Sequence, residues 1–212
     1  MTGRRVVLWR HGQTAWNLAE RFQGSSDVEL DEVGVAQAGR AARLLTTLAP
    51  AAIVSSDLLR ASATAAELAT LCGLQVRHDE RLRETYGGRW QGRTATEIDA
   101  ADHELYAAWR AGEDVPAGGG ERRTEVAARV VPAIVDALAE VPAGGTLVVV
   151  THGGSARAAI GTLLDLPLDR WAVVGGLANC SWSVLEEAPP SGWRLVEHNA
   201  GSLPEPVMGD EE

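Results

Sequence analysis

Apolar and polar positions alternate along this chain in blocks that predict strands and helices in turn. Residues 6–9 (VVLW) are a short apolar run followed at once by polar and turn-forming residues, which marks a buried strand. Val35, Ala38, Ala42, Leu45 and Ala49 recur at helical spacing and stop before Pro50. A second apolar run, AIVS at 52–55, predicts another strand. Asp57 is placed to N-cap a helix over 58–71, which Gly73 closes. Residues 75–78 predict a short strand, and the glycine-rich ETYGGRWQG at 84–92 excludes regular helix there. An amphipathic helix is expected over 96–110, bearing Tyr106 and Trp109, then a Pro/Gly loop at 113–120 that would form a mobile rim. The next helix, 124–140, carries Pro132 as an expected kink.

TLVVVT at 146–151 is the strongest strand signal, apolar on both faces as a central parallel strand covered by helices would be. After His152-Gly153-Gly154 a helix is expected to about 164, with later strands at 171–174, 181–185 and 193–197. The acidic stretch 204–212 reads as a frayed tail. The chain shows neither repeats nor a dividing linker. The alternation predicts one α/β domain over 1–203 with a mainly parallel sheet, whose site should lie beyond the strands' carboxyl ends.

Composition narrows the chemistry. The 212 residues are 45% hydrophobic and 23% charged, an ordinary globular profile. A net charge of −10 and a pI of about 5.0 argue against a basic face for nucleic acid or a membrane surface. All 19 basic residues are Arg, which removes Schiff-base lysines, Walker-type lysines and Lys general bases. Cys72 and Cys180 fit neither a CxxC nor a Cys/His ligand pattern, so a reduced cytoplasmic setting is expected. The apolar run near the N-terminus is too short for a signal peptide or a membrane span.

Three predicted strand exits carry unusual residues. The first strand runs into Arg10-His11-Gly12, the second into a helix whose first turn holds Arg60, and the strong strand into His152-Gly153-Gly154. In a parallel sheet these exits share one edge, so two imidazoles and two guanidiniums converge. Guanidiniums grip phosphoryl oxygens bidentately, and a neutral imidazole is a nucleophile near pH 7 without a metal. His11 would attack phosphorus in line while Arg10 and Arg60 hold the equatorial oxygens and His152 adds a hydrogen bond. Glu84, just before the glycine-rich loop, is the acid best placed to protonate the leaving alkoxide. Taken singly, each His is a structural hydrogen bonder, Arg60 a solvated helix residue and Glu84 a surface charge; their joint occurrence at successive exits is what packing does not explain. His78, His103 and His198 sit among charged or loop residues and carry no such argument.

Rival chemistries lack their patterns. Neither zinc spacing nor a clustered Asp/His set for two metals appears, Ser155 lies in GGSAR rather than GxSxG, and Gly118-Gly119-Gly120 is not a dinucleotide fingerprint. The seven Trp residues suit core, rim or subunit contact better than a base-stacking platform, given the acidic balance.

RHGQTAWN at 10–17, SSDLLRASATA at 55–65, RLRETYGGRWQG at 81–92 and VVTHGG at 149–154, in that order, resemble the landmarks of the histidine phosphatase superfamily. The branch is the one similar to cofactor-dependent phosphoglycerate mutase. The resemblance implies a three-layer α/β/α sandwich, a phosphohistidine at His11, a general acid at Glu84 and a phosphate pocket of Arg10, Arg60 and His152. Asn17 and Gln23, at matching positions, would add donors to the substrate phosphate. It implies a small phosphate ester as substrate and calls for no cofactor and no metal. TYGGRWQGRTATEI resembles the phosphatases of the branch more than the longer mutases, and RLRET, WQG, EIDA and LPLDRWAVVGGLANCSW at 166–182 are similar to its glucosyl-3-phosphoglycerate phosphatase subfamily. A phosphoglycerate mutase and a non-catalytic phospho-ligand binder stand as the alternatives. Where the family often has GGES, this chain has Gly119-Gly120-Glu121-Arg122; Arg122 would contact a second acidic group or face solvent, with solvent the safer expectation. The apolar, Trp-bearing segment 171–182 is the candidate interface strand of a homodimer.

Overall fold

The computed structural model describes residues 3–188 and 192–201; the tail expected at 204–212 lies outside the described residues. Strands β1 (Arg5–Arg10), β2 (Pro50–Ser55), β3 (Val76–His78), β4 (Thr146–Thr151), β5 (Trp182–Glu187) and β6 (Trp193–Ala200) form one sheet in the order β3-β2-β4-β1-β5-β6. The pairs β1/β4, β4/β2 and β2/β3 are parallel, whereas β5 and β6 extend the sheet antiparallel beside β1. The expected mainly parallel sheet is therefore present, with an antiparallel flank.

Strand alternation sorts the side chains into two cores. Val6, Leu8, Leu147 and Val149 point to one face, covered by α5 (Arg123–Ala139) and α6 (Gly153–Leu163). Val7, Trp9, Val148 and Val150 point to the other, covered by α2 (Glu32–Leu45) and α3 (Leu59–Cys72). All six residues of β4 are buried, so its unbroken apolar run follows from being covered on both faces. The result is the α/β/α sandwich. A third, smaller cluster lies outside these layers, where α4 (Ala95–Ala111) brings Ile98, Tyr106 and Trp109 onto Phe22, Trp90 and Ala117. A short helix, α1 (Ala15–Leu18), follows the first strand exit.

Four sequence expectations need correction. Residues 171–174 are not a strand: they fall in a 3-10 turn, Leu168–Val173, because the Trp171 indole seats on Gly161 of α6 and donates to the Leu166 carbonyl at 3.0 Å. Trp182, at the end of the segment 171–182, belongs to β5, inside the sheet between β1 and β6, where it is buried. Asp57 does not cap α3, whose N-cap is Leu58 with no side-chain bond; the Asp57 carboxylate is instead taken by the Arg83 guanidinium. Helix α5 keeps helical angles through Pro132, and the break in helical angles falls in α4 at Asp102, whose carboxylate turns to accept from Arg89 and the Trp90 indole. The glycine-rich half of the expected mobile rim is packed down, with Ala117 and Gly118 buried against Trp90. Among the described residues, no helix is long and apolar enough to cross a membrane, and Cys72 and Cys180 are free.

The seat of Trp171 gives a test with an inverted sign. Replacing a helical Gly by Ala ordinarily stabilises by about 1 kcal/mol, but a Cβ at Gly161 would lie 2.7 Å from the Trp171 ring. Gly161→Ala should therefore lose about 1–3 kcal/mol in urea unfolding; a gain would show that the indole is not held there.

Candidate active site

The site forms where β1 and β4 end level. Arg10 is in register with Thr151, and the His11 amide donates to the Thr151 carbonyl at 3.1 Å, so the two residues that follow these strands emerge side by side. The His11 and His152 rings lie 5.1 Å apart, tilted by 57°. At the neighbouring exit the Ser56 amide donates to Val150, and its hydroxyl lies 2.9 Å from His152 Nε2. The edge predicted from sequence brings Arg10, His11, Arg60, Glu84, Asn17 and Gln23 onto one cavity of about 310 Å³. His152, next to His11, is fully buried, with Nδ1 unpartnered among the described residues.

His11 has its tautomer set by its neighbours. Nδ1 lies 2.7 Å from the Gly12 carbonyl, which only accepts, and Arg60 Nε, which only donates, lies 3.3 Å from Nε2. The proton is thereby assigned to Nδ1 and the lone pair to Nε2. Burial first, then the Arg60 and Arg10 guanidiniums, hold the His11 imidazole well below its usual 6.5. Burial, Arg60 and His11 do the same to His152.

Arg60 is fully buried on the first turn of α3. It anchors its fork on the Gly24 and Ser26 carbonyls, each at 2.7 Å, and burial lowers it to about 10, leaving it charged at neutral pH. Arg10 donates to the Leu177 carbonyl, and its buried Nε has no partner among the described residues. Asn17 accepts on Oδ1 from the Thr14 amide and hydroxyl and from the Asn179 amide, which leaves its own NH₂ to serve the cavity. Gln23 Oε1 is buried and has no partner among the described residues.

Glu84 stands at the N-terminus of α6. Its carboxyl group accepts from the Gly154 amide at 2.9 Å, the Ser155 amide at 3.1 Å and the Thr85 amide at 2.9 Å, which hold it in place. Arg129 of α5 ties down the loop that carries it, donating to the carbonyls of Arg81, Arg83 and Glu84 and pairing with Glu121 at 2.7 Å. Ser155 Oγ and Thr151 Oγ1 add bonds to the Arg83 and Leu82 carbonyls.

Several wall residues escaped the sequence reading. Arg123, Arg157, Arg21 and Trp109 line the outer cavity, and Asn179 clips the His11 and Gly12 carbonyls at 3.1 Å each. Arg122 is exposed and donates to the Asp114 carbonyl, in keeping with the solvent expectation, whereas the next residue, Arg123, faces the cavity. The arrangement can hold a tetrahedral dianion between two guanidiniums, with a neutral imidazole lone pair behind it and a carboxyl group beside it. Among the described residues no group of three His, Cys, Asp or Glu could hold a metal ion.

Residues 6–201 match the family model described as histidine phosphatase superfamily (branch 1). The chain is 43% identical over 216 residues to the glucosyl-3-phosphoglycerate phosphatase of Mycobacterium tuberculosis, covering 95% of this chain and 97% of that one. It is 36% identical over 200 residues to a probable phosphoglycerate mutase of Yersinia pestis, covering 89% of each. The solved structure of a mycobacterial glucosyl-3-phosphoglycerate phosphatase with VO3 superposes with a TM-score of 0.88 at 44% identity, over 93% of this chain and 100% of that one. The YhfR protein of Bacillus stearothermophilus superposes at 0.86 with 29% identity, over 94% of this chain and 98% of that one.

Because the folded state holds both imidazoles below 6.5 while the unfolded chain binds their protons near 6.5, stability should fall as pH drops from about 6.5 to about 5. That window lies above the lowered carboxylates of Asp57 and Asp79, whose loss begins below about 4. Urea midpoints should decline across it, and the His11 and His152 ring signals should stay those of neutral imidazole at about pH 5.5. Protonated rings at that pH would overturn the assignment.

Proposed function

Because the chain belongs to the histidine phosphatase superfamily, branch 1, we propose that it is a metal-independent phosphomonoesterase that works through a phosphohistidine on His11. The observation that carries this reading is the His11 Nε2 lone pair held between Arg10 and Arg60 in a neutral ring. His11 Nε2 forms the bond to phosphorus as the ester P–O bond breaks. Glu84, entering as the acid, gives its proton to the leaving alkoxide, while Arg10 and Arg60 balance charge on the equatorial oxygens. The Glu84 carboxylate then takes a proton from water, the hydroxide attacks the phosphohistidine, and inorganic phosphate leaves with His11 neutral again. Asn17, Gln23 and His152 add hydrogen bonds to the phosphoryl group, the last through the Nδ1 that has no partner among the described residues.

For substrate we propose glucosyl-3-phosphoglycerate or a related phosphorylated metabolite, on the likeness to the mycobacterial phosphatases. The acidic net charge and the free cysteines support a cytoplasmic enzyme without nucleic-acid partners. The likeness to a probable mutase favours one second reading, phosphoryl return to a second acid rather than to water. A coupled assay with and without a bisphosphorylated primer separates the two.

Brief incubation with labelled substrate and an alkaline quench should trap an acid-labile phosphoprotein that His11→Ala cannot form, and excess chelator should leave turnover intact. A labelled His11→Ala protein, or activity restored only by metal, would sink the reading. Glu84→Gln should slow alkyl esters by about 10²–10⁴-fold and aryl esters much less, because only the former need a proton on departure. Equal losses would remove the acid role. In a panel of phosphorylated metabolites, glucosyl-3-phosphoglycerate should rank first by kcat/KM.

A further inference from the structure

The cavity wall carries more positive charge than a phosphoryl group needs. Arg10, Arg60, Arg21, Arg123 and Arg157 face one carboxylate, Glu84, inside a protein of net charge −10. Arg10 and Arg60 flank the nucleophile, and Arg21 is answered by Glu97 at 3.4 Å. Arg123 and Arg157 are left over. Neither has an ion-pair partner among the described residues, although most of the molecule's structured guanidiniums at the same end, such as Arg83, Arg89 and Arg129, are paired with carboxylates.

The two are prepared differently for the same task. Arg123 is fixed: it donates to the Glu113 and Trp109 carbonyls at 2.8 and 2.6 Å, and its guanidinium lies 4.8 Å over the Trp109 ring. Arg157 makes no hydrogen bond among the described residues; its Nε is buried without a partner, and its Nη2 lies 3.2 Å from where a Cβ on Gly176 would stand. Burial first, and then the like charge of Arg157, oppose the charge on Arg123, with Asp114 acting the other way. Arg157 follows Gly153 by one turn of α6, and both line the cavity that holds Arg10, His11 and Arg60. Val126, Ala158, Trp171 and Leu177 supply the apolar part of the same wall.

We propose that Arg123 and Arg157 form a second anion subsite that takes the carboxylate of the substrate's alcohol half, so that the cavity selects phosphorylated hydroxy acids over neutral phosphorylated alcohols. This rests on the phosphatase reading and adds to it which part of the molecule is recognised. Arg157 supplies the donor fork that has no partner among the described residues, and Arg123 the fixed charge.

The test compares 3-phosphoglycerate with glycerol 3-phosphate, which differ in the carboxylate. The wild type should favour 3-phosphoglycerate, and Arg157→Gln and Arg123→Gln should each reduce the ratio of kcat/KM values by about 10- to 100-fold, mainly through KM, with Arg157→Lys recovering part of it. A ratio unchanged by both variants, or a wild type indifferent to the carboxylate, overturns the subsite while leaving hydrolysis established. If the wild type turns over neither ester, calorimetry decides the subsite, and the phosphatase reading fails separately only if glucosyl-3-phosphoglycerate and the rest of the metabolite panel are not hydrolysed either. In that case 3-phosphoglycerate must bind Arg157→Gln about 10-fold or more weakly than the wild type, and glycerol 3-phosphate must not share that loss. Equal losses for both ligands overturn it, and a circular dichroism spectrum matching the wild type shows that the variant is folded.

Discussion

The level pairing of β1 with β4 is the constraint on which the site depends. Two parallel strands in register end at the same height, so residues about 140 positions apart emerge as neighbours without any loop having to carry them there. The His11 amide closes the ladder on the Thr151 carbonyl, and from that bond the ring positions of His11 and His152 follow. A slip of one residue would turn each imidazole toward the opposite core. The register is guarded from both faces, since Val6 and Leu8 alternate with Val7 and Trp9 into two separate, fully buried cores.

Around that edge the electrostatics work through exclusion of water. The overall charge of −10 has little hold on the cavity, because screening over about 8 Å isolates it from the acidic surface. Burial first, and then guanidiniums that keep their protons at working pH, disfavour protonation of the imidazoles beside them. Arg60 tolerates full burial because loop carbonyls at Gly24 and Ser26 and the His11 ring satisfy its donors. The chain without lysine thus uses the one basic side chain whose charge survives such a place.

Features set by local pattern were legible in the sequence. The apolar runs ending in RHG and THGG announced both strand exits, the small-residue helix after the second strand placed Arg60, and the glycine-rich break placed Glu84. Features set by contacts across the fold were not. Residues 171–174 look like a strand until Gly161 offers the Trp171 ring a seat, and Asp57 looks like a cap until Arg83 arrives from another loop. Which of Arg122 and Arg123 faces inward depends on where α5 begins, and a one-residue uncertainty there inverts the answer. Asn179 carries no local signal at all; it matters because β5 returns beside β1 and brings its amide to the His11 carbonyl.

The small aromatic cluster of the rim has a dynamic consequence. It buries only Trp90, Ile98 and Ala117 completely, against the two large cores of the sandwich, and α4 is bracketed by Gly92 and Gly112 in left-handed conformations. Small clusters of this kind are where local unfolding costs least, so amide exchange is expected to be faster in α4 than in the strands that carry the nucleophile. Because the Arg123 fork is bonded to the Trp109 carbonyl at the end of α4, the aromatic cluster also fixes the place of a charge on the cavity wall.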